Sequence, residues 1–590
     1  MAAMRNPGLW LVLLWVLLVA ACAPQAPQAD LILHNGDLWT ADESTPHAQA
    51  VAVLKGRILA VGSDAEVMAH RGGSTQVVDL QGAFALPAFN DNHVHFASAA
   101  RFLEFNIMRT GTQEEFVERV EQVVSSLDPG EWILGGYWGA YDQWAEGSAG
   151  GSSRQPFSPD MRIIEEITSQ HPVFIRKFDN SQFAANRKAL ETAGLDPDRP
   201  RARGVEFLRD SEGYTGVFQG QGAAGLFRDK IPGEFTRKRR ISQTKNAFRE
   251  IVRHGVSNVS DMSDEIQLDI YRELREQGEL DVRIHFRYPL DDWKKLADRG
   301  LEIGSGDEWI RLGSLKGHID GIMGTSTARF FEPYAHNPGS RGRWRRLMVD
   351  EDGNFVEGKF LQYMLDADQA GLQLTVHAIG DEANHLLLDY LEELRRQNGE
   401  KDRRFRLVHA QVIAPDDFPR LGELEVVAEV QPFHLSDDMR WMEERIGHQR
   451  SKGAYAFKTI QDNGGLLCFG TDWPGTSAAE YPINPMLGIY AAVTRQTVTG
   501  EPQGGWFPDE RISVEEALKA YTYNTAYANF EEQVKGSLTP GKVADIAVLS
   551  QDLLEIETSK ILDTEVLYTV IGGQIAYQRD ETQQAQASQQ

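Results

Sequence analysis

Phe84-Ala85-Leu86-Pro87-Ala88-Phe89-Asn90-Asp91-Asn92-His93-Val94-His95 runs from an apolar stretch into two histidines one residue apart. Alternate residues leaving a strand point the same way, so both imidazoles can face one ion. In a chain with 15 histidines one such pair is weak evidence by itself. It gains weight further along, where apolar runs end at Lys316, His377, His409 and, after Phe469-Gly470-Thr471, Asp472. The carboxyl ends of a barrel of parallel strands all meet at one face, so six ligands scattered from His93 to Asp472 can converge on one point. Such convergence is how a metal hydrolase is built.

Eight apolar runs have the length of barrel strands: residues 84–89, 256–259, 282–286, 310–315, 372–376, 405–408, 426–430 and 466–469. They alternate with helical patterns such as residues 383–396, as βα units do. The expected fold is therefore α/β, a TIM-like (β/α)8 barrel over residues 84–535. The run 172–175 is surplus to the eight, which predicts a large insertion after strand 1, at about residues 100–245. Its aromatic and Gly-rich stretches, Trp132 to Trp144 and Gly147 to Gly151, read as a lid over the barrel mouth. Residues 30–83 and 536–577 are short strands with turns, and neither piece can bury a core alone. They are expected to pair into one small β-sandwich beside the barrel. The polar residues 578–590 are expected to be disordered.

Aspartate and glutamate outnumber lysine and arginine by 86 to 60, a formal charge of −26 over 590 residues. That balance repels phosphate backbones, so nucleic acid is excluded as a partner. At the start of the chain Arg5 precedes an apolar run from Leu9 to Ala21, which reads as an export signal over residues 1–22. The run ends Val19-Ala20-Ala21-Cys22, which resembles the lipobox of bacterial lipoproteins. Lipidation at Cys22, a tether over residues 23–29 and a membrane-anchored protein facing the periplasm or exterior are the expectations. An ordinary signal peptide cut after Ala23 is the alternative, disfavoured by Pro24 and Pro27. Cys468, the other cysteine, sits in Leu466-Leu467-Cys468-Phe469 and reads as a small core side chain.

Taken together, several stretches resemble the metal-dependent amidohydrolase superfamily, in particular its YtcJ-like branch. They are Leu86 to His95, Gly255 to Asp261, Lys316 to Gly321, His377-Ala378-Ile379-Gly380-Asp381, His409-Ala410-Gln411, Gln431-Pro432-Phe433-His434, Gly470-Thr471-Asp472-Trp473-Pro474, Gly536-Ser537-Leu538, Gly541-Lys542 and Ala544-Asp545. The resemblance implies that His93 and His95 hold the more buried metal, His377 and His409 a second, and that Asp472 is the carboxylate of the last strand. Lys316 matches the position of a carboxylated lysine bridging two metals. One or two divalent ions per chain are implied, zinc by default for an imidazole-rich site.

The implied chemistry is hydrolysis of a C–N bond in an amide or related small molecule, with Asp472 as general base and then general acid. Asp320, Gln431, His434 and Arg495, near the expected mouth, are candidate substrate contacts, and His318 reads as structural. The chain departs from the family pattern at Ala88, at Val408 and at Ser181, where relatives carry a histidine facing the substrate. Those departures keep alive a non-catalytic, exported solute-binding protein, while the same metal chemistry also serves ester or lactone hydrolysis and deamination. A homodimer is left open.

Overall fold

In a computed structural model the described residues are 27–139, 157–233, 235–476 and 479–580. Cys22, the export signal, most of the tether, Trp144, Gly147 to Gly151 and the last ten residues lie outside them. Residues 27–29, assigned to the tether, are docked: Ala29 is buried and its N–H donates to His70 O at 2.8 Å.

Eight strands form one parallel sheet in chain order: Phe89–Val94, Val256–Asp261, Arg283–Pro289, Ile310–His318, Gln373–Ala378, Arg406–His409, Val427–Val430 and Leu466–Phe469. The last comes back against the first just beyond its end, where Asp472 N–H donates to His93 O at 2.7 Å and His95 N–H to Trp473 O at 2.8 Å. The result is a TIM-like barrel. Gly470 permits that closure, because a Cβ there would lie 2.7 Å from His93 N.

One strand differs from the sequence reading. The run 84–89 is divided: Phe84–Pro87 pairs with Ile546–Leu549 outside the barrel, and the first barrel strand starts only at Phe89. That strand reads Phe-Asn-Asp-Asn-His-Val, and its polar side chains hide it from a search for apolar runs.

The helices around the barrel follow ordinary rules. Glu265–Gln277, for example, starts at Asp264, whose carboxylate accepts from Gln267 N–H, and stops at Gly278 in the left-handed region (φ 74°). Leu268, Tyr271 and Leu274, three apart, make its buried stripe.

Inside, the barrel is charged. Arg287, Arg406 and Glu429 are fully buried on the third, sixth and seventh strands. Both Glu429 oxygens accept from Arg287 at 2.8 Å, and Arg406 adds a third contact at 2.8 Å. Strands that are not neighbours can meet this way only across the lumen, which in most barrels is packed with Val, Ile and Leu.

Between the first two barrel strands lies a five-stranded sheet, ordered Glu206–Asp210, Gly213–Gln219, Gln182–Ala185, Val173–Lys177 and Ile133–Trp138. The stretch that reads as lid thus includes an edge strand, Ile133–Trp138. A six-stranded sheet takes Asp37–Trp39, His47–Ala48 and Phe84–Pro87 from one end of the chain and Ile546–Leu549, Val566–Ile571 and Gln574–Gln578 from the other. Its residues alternate in the period of two: Ile546 and Val548 pack with Leu31, Val51 and Val53 of a four-stranded sheet, whereas Ala547 and Leu549 join the barrel core.

Candidate metal centre

At the carboxyl end of the barrel five side chains of the ladder, His93, His95, His377, His409 and Asp472, line one mouth, while Lys316 lines the cavity beside it. His93 leaves the first strand fully buried, and its Nδ1 lies 2.8 Å from Glu429 Oε1. The ring is therefore held with Nε2 toward the mouth, 3.5 Å from Asp472 Oδ1. His95 Nε2 approaches the same oxygen to 3.2 Å. Ligands of one ion at about 2.1 Å stand roughly 3.4 Å apart in a tetrahedron, so these separations suit a shared cation. The ligand atoms of His93, His95 and Asp472 all lie within 4.8 Å of one another, and so do those of His409, His434 and Asp472.

His409 is oriented in the same fashion, its Nδ1 2.6 Å from Gln431 Oε1, which frees Nε2 for the mouth. His377 turns Nε2 away, 3.0 Å from Gly321 O and 3.3 Å from Asp320, so that Nδ1 is the nitrogen left to ligate. Its ring centroid lies 4.5 Å from that of His409. Lys316 is buried with no hydrogen-bond partner for Nζ among the described residues, and it lines a second cavity that also touches His95 and His318. Burial holds its amine down to about 7.

Backbone strain marks the same place. His409 (φ 73°), Ala410 (φ 45°) and Asp472 (φ 61°) occupy the left-handed region, which costs a non-glycine residue about 1–3 kcal/mol and persists where the surroundings enforce it.

Electrostatics favours a cation. Burial, and then Lys316, push His93 down to about 3, so it is neutral and able to ligate. His409 is likewise held well below the ordinary histidine range by burial and by His377. Burial alone would raise the Asp472 carboxyl, but His93 and His95 outweigh it and keep it ionised. Glu429 is held far below the ordinary carboxylate range despite burial, because Arg287 and Arg406 face it.

Of the four candidate substrate contacts only His434 lines the cavity at the mouth, a space of about 570 Å3 whose walls include Phe178, Ile322, Met323, Ile379, Trp441 and Tyr481. Asp320 does not. It is fully buried and accepts from the N–H groups of Arg329, Ile379 and Gly380 at 2.8, 3.1 and 2.9 Å, so its carboxylate braces the loop after His377. Gln431 is spent on His409. Arg495 is fully buried elsewhere, donating to Trp506 O at 2.6 Å and Tyr455 O at 2.7 Å. Ser181 is not part of the wall either; its hydroxyl donates to Asp179 Oδ1 at 2.6 Å, while Phe178 and Asp179 do line the cavity. His318, expected to be structural, lines both cavities. Cys468 is a free, buried thiol pushed up to about 12 by burial, as a core side chain should be.

Sequence reasoning missed Glu429, Arg287 and Arg406. The available signal was a charged residue inside a short apolar run, as in Val426-Val427-Ala428-Glu429-Val430. It also missed Asp91, whose carboxylate accepts from the N–H groups of His93 and Thr471, both at 3.0 Å, and so ties the first metal-facing strand to the last.

Residues 76–577 match the amidohydrolase family. The chain is similar to the protein LONG AFTER FAR-RED 3 of Arabidopsis thaliana, 33% identical over 96% of this chain and 94% of that one. It is also similar to the putative amidohydrolase YtcJ of Bacillus subtilis, 26% identical over 93% of this chain and 99% of that one. Among solved structures, an uncharacterized metal-dependent hydrolase of Pyrococcus horikoshii superposes with a TM-score of 0.68 at 25% identity, over 90% of this chain and 99% of that one.

Proposed function

The chain belongs to the amidohydrolase family, in its YtcJ-like branch, and is a metal-dependent hydrolase; from that premise we propose that it cleaves the C–N bond of a small amide at the mouth of the barrel. The observation that carries this reading is the approach of His93 and His95 to one oxygen of Asp472. His93, His95 and Asp472 would hold one divalent cation. His377 and His409, with Lys316 carrying a carboxylate, would hold a second, and His434 stands close enough to His409 and Asp472 to join them. Zinc suits a set this rich in imidazole. A cation held there supplies Lewis acidity, making water nucleophilic near neutral pH and stabilising charge that develops on the carbonyl oxygen.

The residues do the rest. Asp472, ionised and at the centre of the ligand set, takes the proton of the attacking water and hands it to the departing nitrogen, giving a carboxylic acid and an amine. An amine leaves poorly without that proton whereas an alkoxide needs it less, so a general acid beside the nucleophile favours amides over esters. His434 and the aromatic wall position the substrate. In this reading the five-stranded sheet is an insertion that roofs the mouth through Phe178 and Asp179, and the two sheets of the chain ends form a sandwich beside the barrel. The enzyme works outside the cytoplasm on a lipid anchor at Cys22, which a Cys22→Ser variant losing incorporated palmitate would support.

Elemental analysis beside an activity panel tests the proposal. One or two metal ions per chain that vanish in His93→Ala/His95→Ala, with turnover of amides ahead of matched esters and amidines, are expected. Trace metal in both proteins would sink it, and so would amide hydrolysis undiminished in Asp472→Asn.

A further inference from the structure

Two cavities meet beside the metal centre. The second, of about 460 Å3, is lined by Lys316, Met262 and Leu347 and touches the first where His95, His318 and Arg345 line both. Around this seam the acidic side chains already have partners. Asp179 lies 3.5 Å from Lys177 and accepts from Ser181. Asp437 is paired with Arg440 and accepts from Tyr481 Oη at 3.1 Å, and Asp438 accepts from Tyr455 Oη at 2.7 Å. Asp291 holds Arg346 at 2.6 Å.

Arg345 is different. Its N–H donates to Ile319 O at 2.8 Å and its Nε to Asp320 O at 3.0 Å, which fixes the side chain against the residue that braces the His377 loop. Neither Nη atom has a protein acceptor, and no carboxylate pairs with the guanidinium, among the described residues. Arg445, the other arginine on the main cavity, spends Nη1 on Met323 O and Gly324 O at 2.7 and 2.6 Å and stacks over Trp441 at 4.1 Å. In a chain of net charge −26, where acceptors are plentiful, a half-buried fork left open at the seam calls for an anion from outside.

We propose that Arg345 receives a carboxylate of the substrate, so that the enzyme selects amides carrying an anionic group beside the scissile bond. The claim deepens the amide-hydrolase reading and rests on it. A planar guanidinium matches a carboxylate with two parallel hydrogen bonds. The apolar or aromatic arm of such a substrate lies against Phe178, Trp441 and Tyr481, and its carboxylate at the seam.

Calorimetric titration with N-benzoylglycine and with its primary amide tests this on the metal-loaded protein. The wild type should bind the carboxylate at least about tenfold tighter, the size of effect expected for a charge-assisted pair. The preference should disappear in Arg345→Met and return in part in Arg345→Lys, which keeps the charge without the fork. Equal affinities in the wild type, no binding of N-benzoylglycine at millimolar concentration, or a preference that survives Arg345→Met each overturn it. If Arg345→Met does not fold, the wild-type comparison and Arg345→Lys still decide. Binding needs no turnover, so these results stand apart from the metal analysis and Asp472→Asn assay that decide the hydrolase itself.

Discussion

Replacing Glu429 by glutamine changes one oxygen to a nitrogen, yet the buried network around it has no room for the exchange. Oε1 takes His93 Nδ1 and Arg287 Nη1, and Oε2 takes Arg287 Nη2 and Arg406 Nη2, all at 2.8 Å. An amide keeps one oxygen for two of these contacts and turns an NH2 toward the other guanidinium nitrogens, leaving two fully buried cations with no counter-charge. Breaking a buried pair by removing one partner costs about 3–5 kcal/mol. For a protein of 590 residues that is a fall in melting temperature of roughly 2–4 °C. Loss of the brace on His93 adds a second effect, a weakening of metal affinity by about 10–100-fold. Differential scanning calorimetry reads the first, and competition with a coloured chelator the second.

The pH dependence has a definite sign. The folded Glu429 carboxyl lies well below its ordinary value of 4.5, so its contribution is complete above that value and is lost as pH falls below it. The wild type should therefore lose stability as pH falls below about 4.5 more steeply than Glu429→Gln does. A variant that melts with the wild type and binds metal equally well would refute the account of a lumen held by this carboxylate.

Asp472→Asn should lower amide turnover by about 10²–10⁴-fold, the range for a general acid–base group, with the circular dichroism spectrum unchanged; a rate within tenfold of wild type would deny Asp472 the role. Gly470→Ala pushes a methyl against His93 N, so it should cost both thermal stability and bound metal, and a variant with full metal content would show that the strands close with slack. Lys316→Met removes a buried amine that lacks a hydrogen-bond partner, and it is expected to keep or raise the melting temperature while metal content falls by one ion per chain. If Lys316 carries a carboxylate, 13C-bicarbonate should label the wild type and leave that variant unlabelled by NMR.

Seven of the eight barrel strands were legible because apolar runs such as residues 466–469 coincide with strands whose outer faces pack against helices. The first strand was misplaced for the converse reason: four of its six buried residues, Asn90, Asp91, Asn92 and His93, are polar, and burial compensated by hydrogen bonds leaves no hydropathy signal. That His93, His95, His377, His409 and Asp472 would share one cavity was legible because position at a strand's carboxyl end fixes where a side chain arrives in space, whereas Lys316 arrives in the cavity beside it. Which way a side chain then turns is not fixed by position. Asp320 and Gln431 reach the mouth in sequence terms yet spend their polar atoms on the loop and on His409. Arg345 lies in no strand and follows no motif, so only the backbone path of its loop reveals it.

The six-stranded sheet imposes an order on biosynthesis. Phe84–Pro87 enters the world with a free edge, and the strand that covers it, Ile546–Leu549, is translated more than four hundred residues later. Until then an apolar ribbon joined directly to the first barrel strand is open to foreign edges. A truncated or stalled product would display that ribbon permanently, and removing residues 536–577 should yield aggregates rather than a smaller working enzyme.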